Sequence, residues 1–262
     1  MATEYSGTGD PARSMALLWR NRDRPARSGK AGLSVDRIVA AAIELADAEG
    51  LAALSMRRVA ERLGVGAMSL YTYVPGKAEL LDLMLDTVYG ETARSDETER
   101  SDGAAQGWRA KLERVARENW ALYHRHPWLL QVATSRPPLG PNVTAKYDYE
   151  LRAIDGVGLT DVEMDSVVTL IAGFVHGTAR GAVEAAQAEQ HTGMTDEQWW
   201  LAHAPYLEKV FDTSRFPVAA RVGAAAGEAY GSAYAPDHGF EFGLQRVLDG
   251  IEAFIRTRLG AG

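Results

Sequence analysis

The sequence contains no cysteine. Disulfide cross-links, thiolate nucleophiles and thiolate metal sites are therefore excluded. Aromatic residues are sparse, at 8% of the chain, so a large core must rest mainly on aliphatic side chains. Uninterrupted apolar runs are short, and none reaches the roughly 18 residues of a membrane-spanning helix. The N-terminus carries charge before any apolar stretch and shows no hydrophobic leader. A cytoplasmic chain with no membrane partner is expected. Also missing are strand-like alternation, tandem repeats, a phosphate-cradling glycine loop, a nucleophile elbow and a His-Glu-x-x-His pair. No cofactor and no catalytic residue is expected. An enzyme housed in residues 92–262 stays an alternative that no motif supports.

What is present is enough for a small domain plus a larger one: 262 residues, 46% of them hydrophobic. The net charge of -7 is unevenly spread. Residues 11–80 hold 11 Lys/Arg against 7 Asp/Glu, and residues 81–262 hold 17 against 26. A basic front on an acidic body suits a module that meets phosphate while the remainder is repelled by it.

Helical periodicity dominates the chain. Residues 1–33 read as a flexible, basic arm with one short helix, started by Asp10-Pro11. Its stretch from Arg20 to Lys30 could enter a minor groove or remain a solvated linker. Ordered structure is expected from Ser34, with apolar positions Val35, Ile38, Val39, Ala42, Ile43 and Ala46 on one helical face. Gly50 ends that helix, Ser55 caps a second and Gly64 closes it. A third runs over about 66–73, and Pro75-Gly76 separates it from a fourth at Lys77 to about Glu91. Residues 92–107 read as a loop or frayed end. Thr160 to Glu163 and Thr195 to Gln198 are capping boxes that open two further helices. Residues 212–239 show little periodicity and are expected to be mobile, and a last helix covers about 240–258. The fold class is all-α: a three-helix DNA-binding unit at 34–80, then a larger helical body at 81–262.

Two short helices joined through Leu63-Gly64-Val65 have the form of a helix-turn-helix. The segments Leu54-Ser55-Met56-Arg57-Arg58-Val59-Ala60-Glu61-Arg62-Leu63-Gly64-Val65 and Leu70-Tyr71-Thr72-Tyr73-Val74-Pro75-Gly76-Lys77-Ala78-Glu79-Leu80-Leu81 resemble the DNA-binding domain of the tetracycline-repressor (TetR) family. The run from Phe240 to Glu252 resembles the last helix of the subgroup nearest the tetracycline repressor itself. The resemblance implies a ligand-responsive transcriptional regulator, a repressor on palindromic double-stranded operator DNA. It implies that Arg57 reaches a guanine edge or phosphate, that Ala67, Met68 and Ser69 face the major groove, and that Tyr71, Tyr73 and Lys77 hold the backbone. Tyr71 and Tyr73 could instead close the small domain's core.

The small-residue helix after Thr160 and the last helix are the expected homodimer surface. Aromatic and His residues gather in the middle helices. From these, Trp120, His124, Trp128, Tyr147, Phe174, His176 and Trp199 are candidate contacts for an unknown small-molecule effector. His124 and His126 would point about 200° apart on a helix, so no metal site is expected. The tetracycline repressor's metal-binding His precedes an Arg-Pro turn; here the turn is Arg136-Pro137 and the matching position is Val132. A largely apolar effector other than a metal–tetracycline complex is expected. A protein-interaction scaffold that has lost DNA binding, and an activator, remain alternatives.

Overall fold

The computed structural model describes residues 4–20, 32–99, 107–133, 135–231 and 235–260. Most of the basic stretch, residues 21–31, lies outside them, and so does any groove contact it makes. Among the described residues the chain is almost wholly helical. The helices are α1 (Pro11–Leu18), α2 (Val35–Glu49), α3 (Met56–Leu63), α4 (Ala67–Tyr71), α5 (Lys77–Glu99) and α6 (Trp108–Arg125). They continue with α7 (Pro141–Arg152), α8 (Asp161–Thr192), α9 (Asp196–Val210), α10 (Pro217–Tyr230) and α11 (Pro236–Gly260).

Local chemistry sets the helix ends. Ser34 and Ser55 accept the backbone N–H groups of Arg37 and Arg58. At the end of α3, Gly64 adopts φ 69°, and the Val65 N–H returns to the Ala60 carbonyl. This left-handed turn is what glycine allows at low cost, and it aims α4 across α3. Both predicted capping boxes form, at Thr160/Glu163 and Thr195/Gln198.

Two apolar cores result. The first joins α2, α3 and α4 to the first half of α5 through Ile38, Val39, Leu45, Val59, Leu70, Val74, Leu80 and Met84. The second joins α6, α8 and α11 through Leu112, Val115, Ile171, Val175, Leu244, Leu248 and Ile251. The first core also takes in Trp128 and Leu129 from the short 3-10 turn Pro127–Gln131, which follows α6. A piece of the body is thus built into the DNA-binding unit. A second tie lies beside it. His126 Nδ1 and Trp128 Nε1 both hydrogen-bond Asp47 Oδ1 of α2, at 2.7 and 2.8 Å.

Three expectations need correction. Residues 4–9 are not a loose arm, and the short helix expected from Asp10-Pro11 forms as α1. Glu4–Tyr5 (β1) pairs in parallel with Val132–Ala133 (β2), Ser6 is buried, and Leu18 enters the first core. The helix begun at Lys77 does not stop near Glu91 but continues to Glu99. Residues 217–230, expected to be mobile, form α10 with Pro217 in its first turn and Gly231 in the left-handed region at its end. Alanine gives this segment helix propensity without a single apolar stripe, and none of its side chains is buried.

Helix α8 is long and apolar enough by mean hydropathy, 1.2, to cross a membrane, although no uninterrupted apolar run suggested it. Its buried side instead packs on α6 and α11.

Candidate nucleic-acid interface and ligand cavity

Of the residues proposed to meet DNA, most are exposed. Met68 is 78% exposed, and Ser69, Tyr71 and Tyr73 are also on the surface. The two tyrosines therefore do not close the small domain's core, which Leu70 and Val74 fill instead. The Arg57 side chain is 81% exposed and pairs with Glu61 at 2.8 Å. A pair so open to water is weak and easily exchanged for phosphate. Ala67 differs from its neighbours: it packs partly against the first core, so it offers little to a groove. Lys77 stands at the start of α5 but is already paired, with Glu4 Oε1 at 2.7 Å.

Behind this unit, α5, α6, α7 and α8 and the 3-10 turn line a half-open cavity of about 1000 Å³. That volume is large enough for a drug-sized molecule. Of the residues singled out from the sequence, Tyr147 and His176 line it. Trp120, His124, Trp128, Phe174 and Trp199 do not. Trp120 stacks on Phe240 with centroids 4.1 Å apart and tilts against His124, which is exposed. Phe174 also stacks with Phe240, at 6.0 Å. Trp128 is buried in the first core, with its indole N–H on Asp47. Trp199 lies on α9, exposed and stacked on His203.

The polar lining comes largely from residues that aromatic content could not reveal. Buried Asn119 of α6 donates to Glu150 Oε1 of α7 at 2.8 Å, and Lys146 pairs with the same carboxylate. The Lys146 ammonium also sits over the Tyr89 ring, 5.6 Å from its centroid. Burial raises the Tyr89 phenol far above its usual range and pushes Tyr123 up to about 12, with Glu150 adding to both. Both phenols therefore stay protonated and can donate. Burial, then Arg180, holds His176 below the usual imidazole value, so its ring is neutral at pH 7. It meets Tyr123 edge-on at 5.6 Å. Asn119 carried one sequence signal: it sits on the apolar face of α6, in step with Leu112, Val115 and Leu122.

The position matching the tetracycline repressor's metal-binding His is Val132, an apolar part of the cavity wall. Among the described residues no three acidic or His groups converge on a metal-sized site. The wall itself leads to the DNA-binding unit. Pro127, Leu130, Gln131, Val132 and Ala133 line the cavity, while Trp128 and Leu129, between them, belong to the first core. A ligand that displaced this turn would press directly on α2.

Known protein families match both halves of the chain. Residues 38–84 match the bacterial regulatory proteins of the tetR family, and residues 102–255 match the tetracyclin repressor-like C-terminal domain. The chain is 50% identical over 259 residues to the HTH-type transcriptional repressor DrrR1 of Streptomyces coeruleorubidus, covering 99% of this chain and 92% of the relative. The crystal structure of apo ActR from Streptomyces coelicolor superposes with a TM-score of 0.67 at 29% identity, covering 87% of this chain and 99% of that one. ActR in complex with actinorhodin superposes with a TM-score of 0.65 at 30% identity, covering 86% and 99%. With both halves matched and a relative of this identity aligned over nearly its full length, the chain belongs to the TetR family of transcriptional regulators.

Proposed function

We propose that this protein is a transcriptional repressor that binds a palindromic operator as a two-fold dimer and leaves it when a small molecule fills the cavity. The observation that carries this reading is the turn Pro127–Gln131, which is at once cavity wall and part of the DNA-binding unit's core. A molecule occupying the cavity need move only this turn and α5 to change the spacing of the two recognition helices. The name of the 50% identical relative and the actinorhodin-bound structure of ActR support repression and ligand control respectively.

The dimer would form on the open sides of α8 and α11. Among the described residues nothing lies near the missing Cβ atoms of Gly177, Gly239 and Gly250. Leu170, Phe242 and Phe254 are exposed beside them. Small residues admit a second backbone closely, and the rings supply apolar area to bury. The effector would be a largely apolar molecule with several hydrogen-bonding groups, matched by the phenols of Tyr89 and Tyr123, the amide of Asn119 and neutral His176. These groups hold a ligand, and Glu150 and Lys146 neutralise each other, which supports binding rather than turnover. The site of action would be the cytoplasm, where the DNA is.

The test is selection from a random duplex library by the purified full-length protein at two salt concentrations. A palindrome with half-sites about one helical turn apart, bound more weakly as salt rises, is the expected result. A non-palindromic site would refute the dimeric reading. No enrichment at low salt, by protein unfolded and refolded to strip any bound ligand, would refute operator binding altogether.

A further inference from the structure

Lys77, expected to hold operator phosphate, is also tied to the N-terminal segment. Its ammonium pairs with Glu4 Oε1 at 2.7 Å, and both side chains remain more than a third exposed. Glu4 is not held there by this ion pair alone. It belongs to β1, whose partner strand, Val132–Ala133, is cavity wall. The Ser6 hydroxyl donates to the Arg136 carbonyl at 2.7 Å, and the Ser6 N–H donates to Ala133. On the other side, the Gly7 N–H donates to Asp82 Oδ1 at 2.9 Å and the Asp10 N–H to Glu79 Oε1 at 3.2 Å. Asp82 and Glu79 are buried acceptors on the first two turns of α5. The segment is therefore fixed at once to the cavity wall and to the helix that begins with Lys77.

Two negative partners cannot share one ammonium without repulsion. A DNA phosphate approaching Lys77 must displace the Glu4 carboxylate or bind beside it. We propose that Glu4 is an internal competitor with operator phosphate for Lys77, positioned by the β1–β2 pairing, so that the cavity wall sets how readily Lys77 is released to DNA. This rests on the operator reading above. It adds a specific residue outside the helix-turn-helix that tunes operator affinity without touching DNA.

The experiment uses full-length protein and the duplex enriched by the wild type. Glu4→Gln keeps the shape of the side chain and removes its charge. It is expected to tighten binding by about 3- to 10-fold near ~100 mM salt, and to steepen the salt dependence by about one phosphate per protomer. Lys77→Gln should weaken binding, and in the Lys77→Gln background Glu4→Gln should have no further effect. Ser6→Ala loosens the strand anchor without changing charge and separates the two causes. Equal or weaker binding by Glu4→Gln overturns the proposal. So does a gain that persists without Lys77, or one that Ser6→Ala reproduces with no change in salt dependence. Failure of the wild type itself to enrich any duplex would instead overturn the operator reading, and the competitor role with it.

Discussion

A Met68→Glu variant loses about 100-fold or more of operator affinity while keeping the melting temperature of the parent. Met68 is 78% exposed on α4, so its replacement disturbs no packing. Glutamate in the first turn of a helix is favoured by the helix dipole. The loss comes from the partner. A carboxylate aimed at the groove meets phosphates and base acceptors, and like-charge juxtaposition at an interface costs several kcal/mol. About 2.7 kcal/mol suffices for 100-fold, and the dimer incurs the penalty twice. Met68→Gln, of similar size and neutral, should stay within about 10-fold of the parent. Titration of a labelled operator, with thermal melts in parallel, measures both. Unchanged affinity in Met68→Glu would mean that α4 does not face DNA.

The largest effect on stability is expected at Asp86. This residue of α5 is fully buried, and its carboxylate caps the start of α7. It accepts the backbone N–H groups of Asn142 and Val143 and the Asn142 side-chain amide, each at 3.0 Å. The start of α7 thus directs its unpaired N–H groups and its positive dipole end at a fixed negative charge. Gly140, just before that helix, has no Cβ because one would overlap the Asp86 carboxylate. Asp86→Ala leaves these half-buried donors without their acceptor and a gap where the carboxylate was, and should cost about 3–5 kcal/mol. For a chain of this size, that is a fall in melting temperature of roughly 10 °C. Asp86→Asn, which keeps one accepting oxygen, should lose less. The same cap holds Lys146, Tyr147 and Glu150 of α7 in the cavity wall. An Asp86→Ala protein melting with the parent would contradict the assignment.

How much was legible in the sequence depended on how local the cause was. Ser34, Ser55, Thr160 and Thr195 cap helices through contacts three residues away, and Gly64 turns the chain by its own backbone. Such signals can be read without a fold. The exposed set Met68, Ser69, Tyr71 and Tyr73 followed from residue types at family spacing. The N-terminal segment did not, because Ser6 and Gly7 find their partners 130 and 75 residues away. A short polar stretch looks loose until those acceptors exist. The cavity was harder still. Aromatic content marks large side chains, not the space beside them: Trp128 turns its N–H to Asp47, and Trp120 stacks on Phe240. The better clue was polarity where apolar groups are expected, as at Asn119 on the buried face of α6. Glu150, its partner across the cavity, had no comparable signal in its own helix.

On the proposed reading, dimerisation sets two recognition helices at a spacing that DNA selects. Because the chain has no cysteine, one introduced residue can be labelled without background. Ala52 is exposed, between α2 and α3 and outside the proposed contact set. Ala52→Cys carrying a spin label would report the distance between the two DNA-binding units by pulsed dipolar spectroscopy. A broad distribution without DNA that narrows to a single distance on the enriched palindrome is the predicted result. Absence of any dipolar pair between protomers, or a distribution that the palindrome leaves unchanged, would contradict it.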